Sequence, residues 1–100
     1  MNIDLRNGLK VGGHVYSVKS GGVVNERLKE GEYYARCYYS EREILVDNSR
    51  TRSVVNNSVI HEILHAIDNN FDTKLRESQI KRIANGLHQV TEQFGINFKV

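Results

Sequence analysis

The feature that most constrains the fold is a pair of histidines, His61 and His65, with Glu62 directly after the first of them. Apolar residues around the pair recur with helical spacing, which predicts a helix with one broad apolar face. They are Val55, Val59, Ile60, Ile63, Leu64 and Ile67. Side chains at positions i and i+4 of a helix lie one above the other on one face. Both imidazoles can therefore reach one zinc ion from a single rigid element.

Glu62 has a different expected role from the two histidines. It is rotated by about 100° around the helix axis from His61, so it is poorly placed as a ligand but can reach a zinc-bound water. Two histidine ligands and a glutamate base form the His-Glu-x-x-His motif of zinc peptidases. The segment therefore predicts a zinc metallopeptidase that hydrolyses peptide bonds, with Glu62 as the catalytic general base.

A catalytic zinc usually has three protein ligands and one water, so a third ligand is expected. The metzincin pattern would require glycine at position 68 and histidine at position 71, where this chain has Asp68 and Phe71. Longer-spaced patterns would require a glutamate near positions 84 and 85, which are Ala84 and Asn85. These observations exclude both of those zinc peptidase classes.

The acidic candidates that remain after the motif are Asp68, Asp72, Glu77 and Glu92. Glu77 fits best, because a second predicted helix returns the chain along the first. It shares an expected inward face with Ile80 and Ala84, and a buried carboxylate is costly unless it is paired or bound to metal. The alternative for Glu77 is a helix-start residue stabilised by the helix dipole. Asp68 is expected either to hydrogen-bond the imidazole of His65 or to be solvated.

The first half of the chain is rich in glycine and tyrosine and favours strands. Residues 14–20 alternate apolar and polar side chains between two glycine pairs, which is typical of a half-buried strand. Residues 33–39 and 44–46 are predicted to form an antiparallel hairpin. Residues 23–30 fit either a short helix or a loop.

The second half of the chain supplies helices to cover that sheet. The first is expected to begin at Ser53 as N-cap and to stop at Asn69-Asn70, and the second to close at Gly95. The predicted fold is α+β, with a small three-stranded, mostly antiparallel sheet packed on the helix that carries the histidines and on a second C-terminal helix.

Length and composition limit the remaining possibilities. The chain has 100 residues, which fits a single domain over 1–100. Its net charge of +2 is too weak to indicate nucleic-acid binding, and no apolar run approaches the roughly 20 residues of a membrane span. The N-terminal residues do not have a signal-peptide pattern, and Cys37 is the only cysteine, so a reducing, cytoplasmic setting is expected.

The motif and its surroundings resemble a known family. Residues 61–68 follow glycine-bounded strands and precede Leu75, Arg76 and Glu77 at the start of an amphipathic helix. This arrangement is similar to the small gluzincins, or minigluzincins, which are zinc peptidases reduced to a core domain and related to the ImmA/IrrE type. Many short chains of this kind are encoded by bacteriophages and mobile elements. The resemblance covers roughly residues 30–94.

The resemblance implies a zincin-like core that holds Zn²⁺ through His61, His65 and Glu77, with Glu62 as general base. It also implies that a peptide or protein substrate binds as an added strand beside the 33–47 hairpin. Four tyrosines of that hairpin are candidates to assist at the oxyanion: Tyr33, Tyr34, Tyr38 and Tyr39. Because the chain is so short, the alternative is a catalytically weak or inactive binding or regulatory module with a structural zinc.

Overall fold

The chain forms six short strands and three helices in a computed structural model that describes residues 1–100. The elements are β1 Asn2–Asp4, β2 Leu9–Val11, β3 His14–Ser20, α1 Gly22–Glu30, β4 Ala35–Tyr38, β5 Glu43–Val46, α2 Arg52–Phe71, α3 Glu77–Gln93 and β6 Asn97–Lys99. The strand predicted at 14–20 is confirmed, and the segment predicted as helix or loop is α1. None of the helices combines the length and apolar character that crossing a lipid bilayer requires.

The main sheet has four strands in the order β2-β3-β5-β4. The predicted β4–β5 hairpin is antiparallel, as expected, whereas β3 and β5 pair in parallel. The expectation of a three-stranded, mostly antiparallel sheet was therefore wrong. Helix α1 follows β3 and returns the chain to the edge strand β4, and the β4–β5 hairpin then reverses the chain so that β5 runs in the direction of β3. The chain is nevertheless α+β, with mixed rather than antiparallel sheets.

A second, two-stranded sheet joins β1 to β6 in parallel. Asn56, buried on α2, ties this sheet to the helix. Its side-chain oxygen accepts a hydrogen bond from the backbone N–H of Phe98 at 2.9 Å, and its side-chain nitrogen donates to Asn97 Oδ1 at 3.1 Å. Both polar ends of a buried side chain are thus satisfied, and β6 is fixed against α2.

Helix α2 covers the main sheet and carries the two histidines. The core between them includes Tyr16, Val18, Ile44 and Val46 from the sheet and Val55, Val59 and Ala66 from α2. The helix begins after Thr51, not Ser53, and the Thr51 hydroxyl accepts a hydrogen bond from the N–H of Val54 at 3.4 Å. It continues past the expected asparagine stop to Phe71, where Asp72 ends it in the left-handed conformation with φ of 50°.

Asp47 is a buried carboxylate at the end of β5, where the chain turns toward α2. It accepts hydrogen bonds from the backbone N–H of Ser49 at 3.1 Å, from the Ser49 hydroxyl at 2.6 Å and from Arg50 Nε at 2.9 Å. Burial raises the pKa of this carboxyl, but the hydrogen bonds outweigh burial and place the pKa below its usual 3.8. The charged form is therefore favoured in the folded state.

We expect Asp47→Asn to lower the free energy of unfolding at pH 7 by about 1–3 kcal/mol, because an amide nitrogen would face the Ser49 or Arg50 donors. The folded-state pKa is depressed, so the contribution is complete above the unfolded pKa of 3.8 and is lost as pH falls through the lower folded value. Urea unfolding of both proteins between neutral and acid pH measures this difference. Asp72→Asn, at an exposed left-handed position that asparagine tolerates, is the control.

Candidate metal centre

Helices α2 and α3 run antiparallel and are joined by a series of polar contacts. Asn57 donates from Nδ2 to Asn85 Oδ1 at 3.1 Å, and Ser53 Oγ lies 3.1 Å from His88 Nε2. The same antiparallel course brings the first residue of α3, Glu77, to the histidine face of α2.

The linker between the two helices is held by Asp68. Its carboxylate accepts hydrogen bonds from the backbone N–H of Leu75 at 2.9 Å and from the Thr73 hydroxyl. These bonds hold the pKa of Asp68 below its usual value, the Thr73 contact contributing most. Asp68 thus binds the linker and not the imidazole of His65, contrary to one of the two expectations from sequence. By holding the linker, Asp68 also fixes the position of Glu77, the first residue of α3.

Three side chains converge at the start of α3. His61 Nε2 lies 2.8 Å from Glu77 Oε1, His65 Nε2 lies 2.9 Å from Glu77 Oε2, and the two Nε2 atoms are 3.2 Å apart. A tetrahedral ion with bonds of about 2.05 Å separates its ligand atoms by about 3.3 Å. The two histidine nitrogens are therefore almost at the spacing that such an ion requires. With one oxygen of Glu77, the three ligand atoms lie within 4.8 Å of one another, and this is the group in the chain that could hold a metal.

The burial of these three side chains differs from the expectation. The Glu77 side chain is 64% exposed, whereas those of His61 and His65 are 23% and 20% exposed. The expectation that Glu77 lies on an inward face was wrong, because Ile80 and Ala84 are buried on α3 but its first residue extends beyond that face. Burial cost therefore does not support Glu77 as a ligand; its contacts with both histidines do.

The second nitrogen of His65 also has a partner. His65 Nδ1 lies 3.2 Å from the hydroxyl of Tyr39, just after β4. Burial is the main cause that lowers the pKa of His65, which favours the neutral imidazole that a metal needs. Burial, followed by nearby acidic groups, raises the pKa of Tyr39 to about 12, so its hydroxyl stays protonated. Among the four tyrosine candidates, Tyr39 is the one that contacts a histidine of the site.

Glu62 is part of α2 and is 7% exposed, because its side chain lies on the side of the helix next to the edge strand β4. Burial, together with the charge of Glu77, raises the pKa of Glu62 to about 7, and the nearby Arg36 opposes this rise. A divalent cation held by the neighbouring side chains would also stabilise the charged carboxylate. Glu62 is not part of the converging group, which agrees with its expected position one residue around the helix.

An open cleft extends to both sides of Glu62 along β4. On one side a cavity of about 360 Å³ is lined by residues that include Tyr39, Cys37 and Glu77, and on the other a cavity of about 330 Å³ includes Asn57 and Lys81. Ala35, His61 and Glu62 line both cavities. Burial raises the pKa of the Cys37 thiol to about 12, and Cys37 is not part of the group that converges at Glu77.

Comparison of this chain with protein-family models, with curated proteins and with solved structures finds no match. The chemistry of the site is therefore inferred from the side chains themselves. Two imidazoles and a carboxylate that converge within 4.8 Å, with a buried carboxylate beside them, define a candidate mononuclear metal centre in an open cleft.

Proposed function

We propose that this chain is a zinc-dependent peptidase with a zincin-like core of the small gluzincin kind. The observation that carries the proposal is the convergence of His61, His65 and Glu77 beside the buried carboxylate of Glu62. Two imidazoles and one carboxylate form a ligand set that suits catalytic zinc, because the fourth position stays open. In this proposal those three side chains hold the ion.

Bound zinc would act as a Lewis acid toward a peptide carbonyl and lower the pKa of water toward about 7. Glu62 accepts the proton of the attacking water and returns it to the leaving amine. Its burial makes the carboxylate a stronger base than an exposed glutamate, which suits proton transfer near neutral pH. Tyr39 holds the His65 ring so that Nε2 points toward the ligand group.

The position of β4 supports a peptide as the substrate. This strand lies at the edge of the main sheet, so it has a strand partner on one side only. The cleft follows the same strand on both sides of Glu62. An extended peptide that pairs with β4 would therefore pass the candidate centre with chain continuing in both directions, as an internal peptide bond requires.

The proposal is tested by stripping the purified chain with a chelator, restoring zinc and incubating it with a peptide library. Mass spectrometry then identifies new chain ends. We expect cleavage after zinc is restored, and no cleavage by the stripped protein or by protein given magnesium alone. Stoichiometric zinc binding without cleavage of any peptide or protein would instead support the inactive binding module, and failure to bind zinc would overturn both.

A change at Tyr39 tests the support of the metal ligands separately from catalysis. We expect Tyr39→Phe to weaken zinc binding by about 10-fold, because partners of metal-bound histidines typically contribute 10–100-fold and this one is partly exposed. Competition with a chromophoric chelator measures the affinity. Tyr33→Phe, on the same hairpin but without a contact to either histidine nitrogen, should bind zinc as the unchanged protein does. Equal affinities for the two variants would show that Tyr39 does not orient the ligand.

A further inference from the structure

Polar side chains of α2 and α3 face each other in two antiparallel rows. They are Asn57, His61 and His65 on α2 and Glu77, Lys81 and Asn85 on α3, each one helical turn from the next. The rows are joined at both ends, because Glu77 contacts the two histidines and Asn57 donates to Asn85. Lys81 lies between these joined ends, one turn along α3 from the candidate metal ligand.

Lys81 is an unpaired cation at the cleft. It lines the cavity of about 330 Å³ on one side of Glu62, and Glu62 is the only acidic residue of that cavity. Lys81 is exposed and takes part in none of the ion pairs of the chain. Arg36, the cation of the other cavity, lies 4.5 and 5.0 Å from the ring centroids of Tyr33 and Tyr38. Lys81 is therefore the cation of the cleft that is free to bind a group from outside the chain.

An amide beside Lys81 provides a second donor. Asn57 and Asn85 form one hydrogen bond with each other, through one amide nitrogen and one amide oxygen. Because each amide carries both groups, one NH₂ of the pair has no partner in the chain, whichever way the pair is oriented. Both asparagines line the same cavity as Lys81. An ammonium group and an amide N–H about one helical turn apart suit a carboxylate, which accepts hydrogen bonds through two oxygens.

We propose that Lys81, with this amide pair, binds an acidic side chain of the substrate next to the scissile bond. This specificity rests on the proposed peptidase function and adds the class of peptide that the site accepts. Side chains of an added strand alternate between its two faces, so every second residue of a peptide paired with β4 points into the cleft. His61 and Glu62 line the same cavity as Lys81. The side chain that enters the cavity therefore belongs to the first or second residue on one side of the bond.

The charges and shape of the cavity favour an acidic side chain over the alternatives. A basic side chain would be repelled by Lys81 and would find no carboxylate there other than the buried Glu62. The volume of about 330 Å³ is at the lower end of the range for ligand sites, which suits one side chain. Because the cleft continues on both sides of Glu62, the carboxylate at the end of a peptide chain can lie well beyond Lys81.

Peptide pairs that differ only by glutamate or glutamine at one position test the proposal. We expect the zinc-restored chain to cleave the glutamate peptide with a kcat/KM about 5–10-fold higher, at the first or second position on one side of the bond. Lys81→Gln should remove the difference, and Lys81→Glu should reverse it in favour of a lysine peptide. The ratio compares two substrates of one protein, so a variant that only lowers overall activity leaves it unchanged.

Arg82→Gln is the matched control, because Arg82 is the next residue of α3, is also exposed and does not line the cavity. It should keep the full preference for glutamate. Equal cleavage of the two peptides by the unchanged chain overturns the proposal, and so does a preference that persists in Lys81→Gln. Faster cleavage only of peptides that end at this position with a free carboxylate overturns the assignment to a side chain.

Peptide binding separates failure of this proposal from failure of the peptidase function. Fluorescence anisotropy compares the same two peptides, labelled, on zinc-loaded Glu62→Gln and on the same chain with Lys81→Gln added. Absence of cleavage by the unchanged chain counts against the peptidase alone. Tighter binding of the glutamate peptide that is lost with Lys81→Gln then still supports recognition of an acidic side chain by Lys81. Where neither peptide is cleaved, equal binding of the two, or binding of neither, overturns the proposal.

Discussion

Replacing Glu62 with glutamine is expected to lower kcat for peptide cleavage by about 10³-fold while zinc binding stays within a few-fold of the unchanged chain. Glutamine has nearly the same shape as glutamate but cannot accept a proton, and loss of a general base typically costs 10²–10⁴-fold. Zinc affinity persists because Glu62 lies outside the converging His61, His65 and Glu77 group. Thermal stability should not fall, because Glu62→Gln removes the cost of burying a charge.

The experiment compares kcat at saturating zinc with zinc content measured on the same preparation. Glu26→Gln, which removes a carboxylate from the exposed surface of α1, is the matched control and should retain full activity. Zinc-loaded Glu62→Gln that cleaves peptides at the original rate would exclude Glu62 as the base. Loss of both zinc and activity would show instead that Glu62 binds the metal.

The histidine pair shows which part of the candidate site could be predicted from sequence. Two residues one helical turn apart share a face in any regular helix, so the position of His61 relative to His65 depends on local geometry alone. The position of Glu77 beside the histidines depends instead on a linker and on a second helix. The antiparallel return of the second helix is found as predicted, and it brings Glu77 to the histidines. The expected inward orientation of Glu77 is not found, because its side chain is mostly exposed and Asp68 holds the linker that places it.

The main sheet contains one strand pairing that could be predicted from sequence and one that could not. The β4–β5 hairpin joins neighbouring segments with clear strand composition, and its pairing could be predicted. The parallel pairing of β3 with β5 is non-local, because α1 and β4 separate the two strands along the chain, and no local pattern encodes it. Strand β2 has only three residues, too few for an alternating pattern to be recognised.

Like the parallel pairing, the contact between Tyr39 and His65 could not be predicted from local sequence. The sequence has several tyrosines near one another, and strand composition does not distinguish among them. Tyr39 lies just after β4, at the turn before β5, and only the packing of that turn beside α2 brings its hydroxyl to His65. Contacts between a turn and a distant helix face are the features of a site that sequence spacing predicts least well.

Removal of the Glu77 carboxylate is expected to weaken zinc binding by more than 100-fold. Loss of a direct ligand should exceed the 10–100-fold effect of losing a ligand's supporting partner. Without metal, the same change should alter stability little, because the Glu77 side chain is 64% exposed and exposed ion pairs contribute at most about 1 kcal/mol. Thermal stabilisation by zinc should therefore fall, while the melting temperature of the stripped protein stays nearly constant.

The matched control for Glu77→Ala is Glu92→Ala, on the same helix, whose carboxylate lies 3.6 Å from His88 and outside the candidate centre. A 100-fold weaker zinc affinity corresponds to a loss of about 2.7 kcal/mol of zinc-dependent stabilisation at a fixed excess of metal, which calorimetry resolves readily. The comparison separates two roles for Glu77. If Glu77 is a ligand, Glu77→Ala weakens zinc binding, whereas if Glu77 only pairs with His61 and His65, the variant binds zinc as tightly as the unchanged chain. In both cases the stability of the stripped protein changes by at most about 1 kcal/mol.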